Sequence, residues 1–186
     1  MLTSGEGGFL SLRDEFSATR LREIARYGLD ENFVCVGLGV NGRLTELSAG
    51  MAIAGMDYMD DWLAARRSTA AQYEHSLGRL EHLRVLPHRV DDRIGSAKDV
   101  ACVVDSAALR DGLAERLARY RIETRPYFRP LHRMAPFKDV SRSNMDVTDQ
   151  LADRMLCLPI TSEIPSETIE YICGVVKHEL ADLVHG

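Results

Sequence analysis

The stretch Phe33–Met51, FVCVGLGVNGRLTELSAGM, decides how this chain is read. Residues Gly37 to Gly42 carry the spacing G-x-G-x-x-G, which can mark a turn wrapped around a dinucleotide pyrophosphate. Such a turn needs a strand before it, a short helix after it, and a second strand with an acidic residue about 20 positions on to hold a ribose. FVCV, at 33–36, serves as the first strand. The second half of the pattern fails. Asp60, Asp61 and Trp62 stand at that distance, inside a helical repeat, and the next strand-like run is DVACVVD at 99–105. The glycines are therefore expected to serve something other than a dinucleotide, and an NAD-binding oxidoreductase is not expected.

Downstream of the glycines, Leu44, Leu47, Met51, Ala54, Met59, Trp62 and Leu63 recur at helical spacing, with Tyr73 and Leu77 beyond them. No proline interrupts, and Gly78 suits a C-cap, so one helix is expected from Arg43 to Leu77. Gly50 and Gly55 inside it each cost roughly 1 kcal/mol against alanine, which is easier to understand if another backbone packs closely there. Upstream, GGFLSLRD reads as a short strand and DEFSATRLREIARYG as a helix stopped at Gly28. Downstream, DVACVVD reads as a strand and SAALRDGLAERLARY as a helix with Ser106 as N-cap. RIETRPY then reads as a short strand and FRPLHRMAPFKDVSRSN as a loop. DVTDQLADRMLCLPI reads as a short helix capped by Asp146, and PSETIEYICGVVKHEL as a final helix capped by Ser166.

Composition narrows the class. The chain has 186 residues, 45% hydrophobic and 27% charged, ordinary for a globular protein. A net charge of −5 argues against a nucleic-acid partner, since phosphate binding needs a basic face. No apolar run reaches the roughly 18 residues that span a bilayer, and the start shows neither a basic nor an apolar leader pattern. Cys35, Cys102, Cys157 and Cys173 are far apart with no C-x-x-C pair, which points to reduced, mostly buried thiols in a cytoplasmic protein and to no metal site.

The residues between the glycines carry more information than the glycines. GVNGRLTELSAGMAIAGMDYMDDWLAARRSTAAQYEHSL, from Gly39 to Leu77, reads G-x-N-x-R-x-x-E, then a helix with small residues, an Arg-Arg pair and a tyrosine. It resembles the DegT/DnrJ/StrS family of pyridoxal-phosphate-dependent sugar aminotransferases. Three further stretches agree with that resemblance, in the expected order along the whole chain. LTSGEGGFLSLRDEFSATRLREIARYG is similar to the segment after the family's cofactor lysine. RIETRPYFRPLHRMAPF is similar to its substrate loop, and LADRMLCLPITSEIPSETIEYICGVV to its closing strand and helix.

The resemblance implies a C-terminal portion of a fold-type-I aminotransferase, α/β overall. Residues 1–42 would be the tail of the large cofactor domain, 43–78 a long linking helix, and 79–186 a small α+β domain. The implied activity moves an amino group from an amino acid, glutamate by expectation, to a nucleotide-linked keto sugar, in a cytoplasmic homodimer that uses pyridoxal 5′-phosphate. Family members hold that cofactor on a lysine a few residues before G-E-G-G. Here G-E-G-G is Gly5 to Gly8, none of Met1 to Ser4 is lysine, and Lys98, Lys138 and Lys177 stand in other contexts. The expectation is a chain that starts just after the catalytic lysine, with Met1 an internal residue of a longer frame, and that is inactive alone. A second expectation, from a different class, is a non-catalytic dimerisation or binding module left from that family. A truncated cofactor domain would then leave apolar surface exposed.

Five residues are candidates for binding. The resemblance assigns Asn41 to the cofactor phosphate of a neighbouring subunit, where an uncharged amide can donate without burying a charge. For Arg43 two readings stand: a phosphate contact, or a cap or ion pair at the start of the long helix. Glu46 suits the first turn of that helix through the dipole. Tyr127 and His132, in RPYFRPLH, and Arg125 beside them are substrate candidates, the resemblance placing His132 near the sugar. Arg129 and Arg133 read either as diphosphate contacts or as part of a solvated basic loop. His75, His82, His88, His178 and His185 read as surface residues. There are two departures. Ala49-Gly50 replaces the family's usual pair of alanines, which loosens the long helix, and HRVDDRIGSAKDVACVVD lacks the aromatic and histidine content expected there, which leaves the substrate class open.

Overall fold

In a computed structural model, which describes residues 2–186, the elements run α1 (Glu15–Ala25), α2 (Glu46–Met56), α3 (Met59–Leu77), β1 (Leu83–Val85), β2 (Arg89–Val90) and β3 (Arg93–Ile94). They continue with β4 (Val100–Val104), α4 (Ala107–Arg119), α5 (Asp146–Ala152), β5 (Met155–Leu158) and α6 (Ser166–His185). The chain divides into two compact units, residues 2–59 and 60–186.

The C-terminal unit has the core. β4 lies between β1 and β5 in an antiparallel sheet, with Cys102 opposite Val85 on one side and Leu156 on the other. Side chains alternate across a strand, so Val100, Cys102 and Val104 share a face. That face joins Leu156 and Leu158 of β5, Leu113 and Leu117 of α4, Ile169, Ile172 and Val176 of α6, and Tyr73 and Leu77 of α3 in one buried cluster. The Tyr73 hydroxyl donates to the Pro159 carbonyl at 3.0 Å, which satisfies the one polar atom this large side chain brings inside. α4 begins as expected, the Ser106 side chain accepting from the Leu109 N–H.

One buried charge ties the helices together. Glu179 of α6 is 6% exposed. Its carboxylate accepts from the Tyr120 hydroxyl at 2.8 Å and from Arg116 of α4 at 3.0 Å, and pairs with His178 Nδ1 at 3.2 Å. The Tyr120 bond, then the Arg116 bond, hold this carboxyl below its ordinary range.

Several expectations need correction. The helix expected from Arg43 to Leu77 is two helices, broken at Asp57 and Tyr58. Gly55 weakens the end of the first, and Asp60 and Asp61 suit the N-terminus of a new one. Thr45 is the N-cap of α2, its Oγ1 accepting from the Ser48 N–H, with Glu46 following in the first turn. RMLCLP is not the tail of a helix: Met155 to Leu158 pair with β4 as a strand. A four-residue apolar run carries no period of its own, so only the partner strand reveals it. GGFLSLRD forms no strand, and RIETRPY contributes only a bridge between Arg125 and Cys157. Asp146 and Ser166 are the first residues of their helices rather than the caps, Met145 and Pro165 preceding them.

The N-terminal unit has a turn in place of a core. Gly28 takes φ +78°, and a side chain there would strike the Gly37 carbonyl, while one on Gly39 would strike Gly28. The glycines of GLGVNG therefore let the loop lie against the end of α1. Val40 N–H donates to Ile24 O at 2.8 Å, Gly42 N–H to Ala25 O at 2.9 Å, and Val36 N–H to Gly28 O at 2.9 Å. Ala52 is the one buried hydrophobic residue among the described residues before 60, whereas Phe9, Phe16, Phe33, Leu38, Leu47 and Ile53 are all exposed.

Leu113, fully buried between the sheet and α6, tests where the core lies. Leu113→Ala is expected to destabilise the protein by about 2–5 kcal/mol, read by denaturant unfolding. A loss below about 1 kcal/mol would show that this contact is not central.

Candidate functional site

The RPYFRPLH segment is fixed at both ends. At its start, Arg125 and Cys157 exchange backbone hydrogen bonds of 3.1 and 2.8 Å, tying the segment to the outer edge of β5. Beyond it, residues 131–133 form a 3-10 turn held against α5. His132 Nε2 lies 2.9 Å from Asp149 Oδ1, and Arg133 Nε donates to the same oxygen at 2.6 Å. Arg133 Nη1 reaches both oxygens of Asp153 at 2.9 Å, and Nη2 reaches the Asp149 carbonyl at 3.1 Å. The His132 bond, ahead of those from Arg133, holds the Asp149 carboxyl below the ordinary range.

Between these anchors the chain carries two aromatic rings. Tyr127 and Phe128 have ring centres 4.5 Å apart, and Lys98 Nζ lies 5.3 and 5.8 Å from them. A cavity of about 220 Å³ opens here, lined by Lys98, Asp99, Glu123, Arg125, Tyr127 and Thr161 among others. Each cation in it already has a carboxylate neighbour. Lys98 stands 3.3 Å from Asp99, and Arg125 donates to Glu123 at 2.6 Å. Arg125 and Tyr127 thus line one cavity, while His132 sits on the α5 side and does not line it. Arg133 is bound to Asp149 and Asp153, which separates it from the basic loop expected around it.

Asn41 and Arg43 belong to the N-terminal unit and sit together. Arg43 Nε donates to Asn41 Oδ1 at 3.3 Å, and the guanidinium lies 5.5 Å from the Tyr27 ring centre. With Oδ1 engaged, the Asn41 amide N–H groups are the donors it can offer an anion. Arg43 does not cap α2; Thr45 does.

The histidines read as plain surface residues include three with acidic neighbours. His82 pairs with Asp105 at 2.7 Å, His88 with Glu74, and His178 with Glu179. Their partners lie 23, 14 and 1 positions away, so only the last was visible in sequence. His178, Glu179 and Asp182 form the one group of possible metal ligands among the described residues, and Arg116 already supplies the positive charge there. Burial pushes the Cys102 thiol up to about 12 and Cys157 up to about 11, leaving both protonated at neutral pH, while Cys35 is exposed. Among the described residues no helix is long and apolar enough to cross a membrane.

The sequence pattern of the DegT/DnrJ/EryC1/StrS aminotransferase family matches residues 1–177. The chain belongs to this family. It is 26% identical over 186 residues to GDP-perosamine synthase of Caulobacter vibrioides, covering 97% of this chain and 50% of that protein. It is 28% identical over 186 residues to dTDP-3-amino-3,4,6-trideoxy-alpha-D-glucose transaminase of Micromonospora megalomicea, covering 96% and 49%. Among solved structures it is similar to the aminotransferase TlmJ of Streptoalloteichus hindustanus, with a TM-score of 0.87, 25% identity, and coverage of 98% of this chain and 50% of that one. The chain thus spans about half the length of the curated relatives it matches, and its mixed α/β fold corresponds to the C-terminal portion of theirs.

The family uses pyridoxal phosphate, and the residues present fit that group in part. Asn41 and Arg43 are donors suited to its phosphate. No lysine among residues 2–59 is available to its aldehyde. Lys98 stands beside Asp99, Lys138 follows a 3-10 turn at Ala135–Phe137, and Lys177 is on α6.

The Asp149 shift has a testable sign. Its folded pKa lies below its unfolded value near 4, so its contribution is fully present above about pH 4 and is lost as pH falls through the folded value. Asp149→Asn is expected to lower thermal stability at pH 7 and to flatten its fall as the pH drops below about 4. A variant whose acid limb overlays that of the parent would contradict the assignment.

Proposed function

We propose that this chain is the C-terminal portion of an enzyme that transfers an amino group from an amino acid, glutamate, to a keto sugar carried on a nucleotide. Residues 1–42 are the tail of the cofactor domain, residues 43–78 link, and 79–186 form the small domain. The protein works in the cytoplasm as a homodimer. What supports the reading is the family match along almost the whole chain together with curated relatives whose names place them on GDP- and dTDP-linked sugars.

In this reading Asn41 and Arg43 bind the cofactor phosphate. Arg125 and Tyr127 offer a cation and an aromatic face to the nucleotide sugar, and His132 offers a ring nitrogen to it. Transamination needs an amine nucleophile to engage the cofactor, and the cofactor then acts as electron sink. The matching amine is not among these residues, so the 186-residue protein by itself does not transaminate. The exposed apolar side chains of residues 2–59 favour a second reading, in which the chain serves as a non-catalytic dimerisation or binding module.

Purified 186-residue protein, supplied with pyridoxal phosphate, glutamate and a nucleotide-linked keto sugar, is expected to form no amino sugar and no protein-bound chromophore. Turnover above the protein-free control would overturn the claim of inactivity. Tyr127→Ala and Arg125→Ala are expected to weaken nucleotide-sugar binding by roughly tenfold each, the size of one lost stacking or ionic contact. Unchanged binding in both would favour the module reading.

A further inference from the structure

Three titratable clusters lie outside the cavity. Arg116 pairs with both carboxylates of the His178–Glu179–Asp182 group, and the Glu74–His88 pair anchors the backbone of residue 88. The third is Asp149, whose oxygen receives two donors from the substrate segment.

We infer that Asp149 is a positioning residue that fixes His132 as the Nε2–H tautomer and leaves Nδ1 as the nitrogen that meets a hydroxyl of the nucleotide sugar. The inference rests on the reading that the Arg125–His132 segment binds that substrate.

The chemistry follows from the donor count. An ionised carboxylate only accepts hydrogen bonds. Arg133 Nε donates to Asp149 Oδ1 at 2.6 Å and favours the ionised carboxylate, so the contact from His132 Nε2 to the same oxygen is an N–H donating. In a neutral imidazole the other nitrogen then has no proton and is an acceptor. Among the described residues Nδ1 has no hydrogen-bond partner, and the His132 side chain is 14% exposed. Its chemical match on a ligand is a donor, which on a sugar or ribose is a hydroxyl.

The rest of the network makes this orientation rigid. Arg133, adjacent in sequence, spends one nitrogen on the same Asp149 oxygen, one on both Asp153 oxygens and one on the Asp149 carbonyl. A planar guanidinium held at three points fixes the backbone of the 3-10 turn, and hence the position of the His132 Cα. The carboxylate fixes the ring about its own axis. A carboxylate acting on a functional imidazole through the ring nitrogen remote from the ligand is a general way of setting tautomer and orientation.

The test uses the ¹⁵N-labelled 186-residue chain and long-range proton–nitrogen spectra of the histidine rings at a pH where His132 is neutral. In the parent protein, His132 is expected to show a protonated Nε2 and an unprotonated Nδ1. Asp149→Asn keeps an oxygen acceptor and is expected to retain that tautomer. Asp149→Ala removes it and is expected to give a tautomer mixture. Addition of GDP-mannose as a nucleotide-sugar probe is expected to move the Nδ1 resonance and leave the proton on Nε2. A parent protein with the proton on Nδ1, or an Asp149→Ala protein with the parent's tautomer, would overturn the inference. A response at Arg125 and Tyr127 with none at Nδ1 would overturn it while leaving the substrate reading intact. Silence at all three residues would remove the substrate reading, and the role of Nδ1 with it. If Asp149→Ala does not fold, the parent and Asp149→Asn spectra still decide the tautomer.

Discussion

The antiparallel pairing of β4 with β5 is the constraint on which the candidate site depends. Val100, Cys102 and Val104 bury one face against α4, α6 and α3, and Leu156 and Leu158 extend that face on the neighbouring strand. Burying a side chain of this size contributes about 1.5–3 kcal/mol, so the five together fix the strand register firmly. A one-residue slip would turn Cys157 inward and Leu156 outward. Because Cys157 also exchanges two backbone hydrogen bonds with Arg125, the same register sets where the RPYFRPLH segment starts. The hydrophobic core and the position of Arg125 are thus parts of one arrangement.

The far end of the segment is held by charge. Asp149 and Asp153 stand four residues apart on either side of the end of α5, close enough along the chain for one guanidinium to reach both. The contrast between the two ends is informative. Apolar burial fixes the backbone at Arg125 and leaves its side chain exposed beside Glu123. Hydrogen bonding fixes the side chains at His132 and Arg133. A segment anchored in these two ways keeps its middle, Tyr127 to Arg129, on the surface beside Lys98, where a ligand has access.

Much of the helical content was legible in sequence because helices carry their own signals. Ser106 caps α4 as read, with a side-chain bond three residues on, while Asp14 and Thr45 cap α1 and α2 in the same way without having been singled out. The strands were harder. β1 is three residues and β5 four, too short for a period to show, and β5 follows α5 so closely that its apolar residues continue the helical count. The break at Asp57 and Tyr58 was hidden because apolar spacing resumes in phase beyond it. The candidate residues were legible only through four stretches resembling one family, since no single spacing in them is diagnostic. Asp149 escaped notice because its partners lie 17 and 16 positions away across a proline-rich loop. Close backbone approach was read at Gly50, where a side chain would meet nothing within 4 Å, whereas the approach of GLGVNG to Gly28 was not legible because that backbone is apparent only in the folded chain.

The central claim is that the segment from Glu123 to Arg133 forms the nucleotide-sugar contact of this half of the aminotransferase fold. Hydrogen exchange followed by mass spectrometry, with and without a saturating nucleoside diphosphate hexose, tests it directly. The account predicts slowed exchange in residues 123–133 and in α5, with the core strands unchanged. Exchange in that segment unaffected by a ligand that demonstrably binds elsewhere on the chain would contradict it.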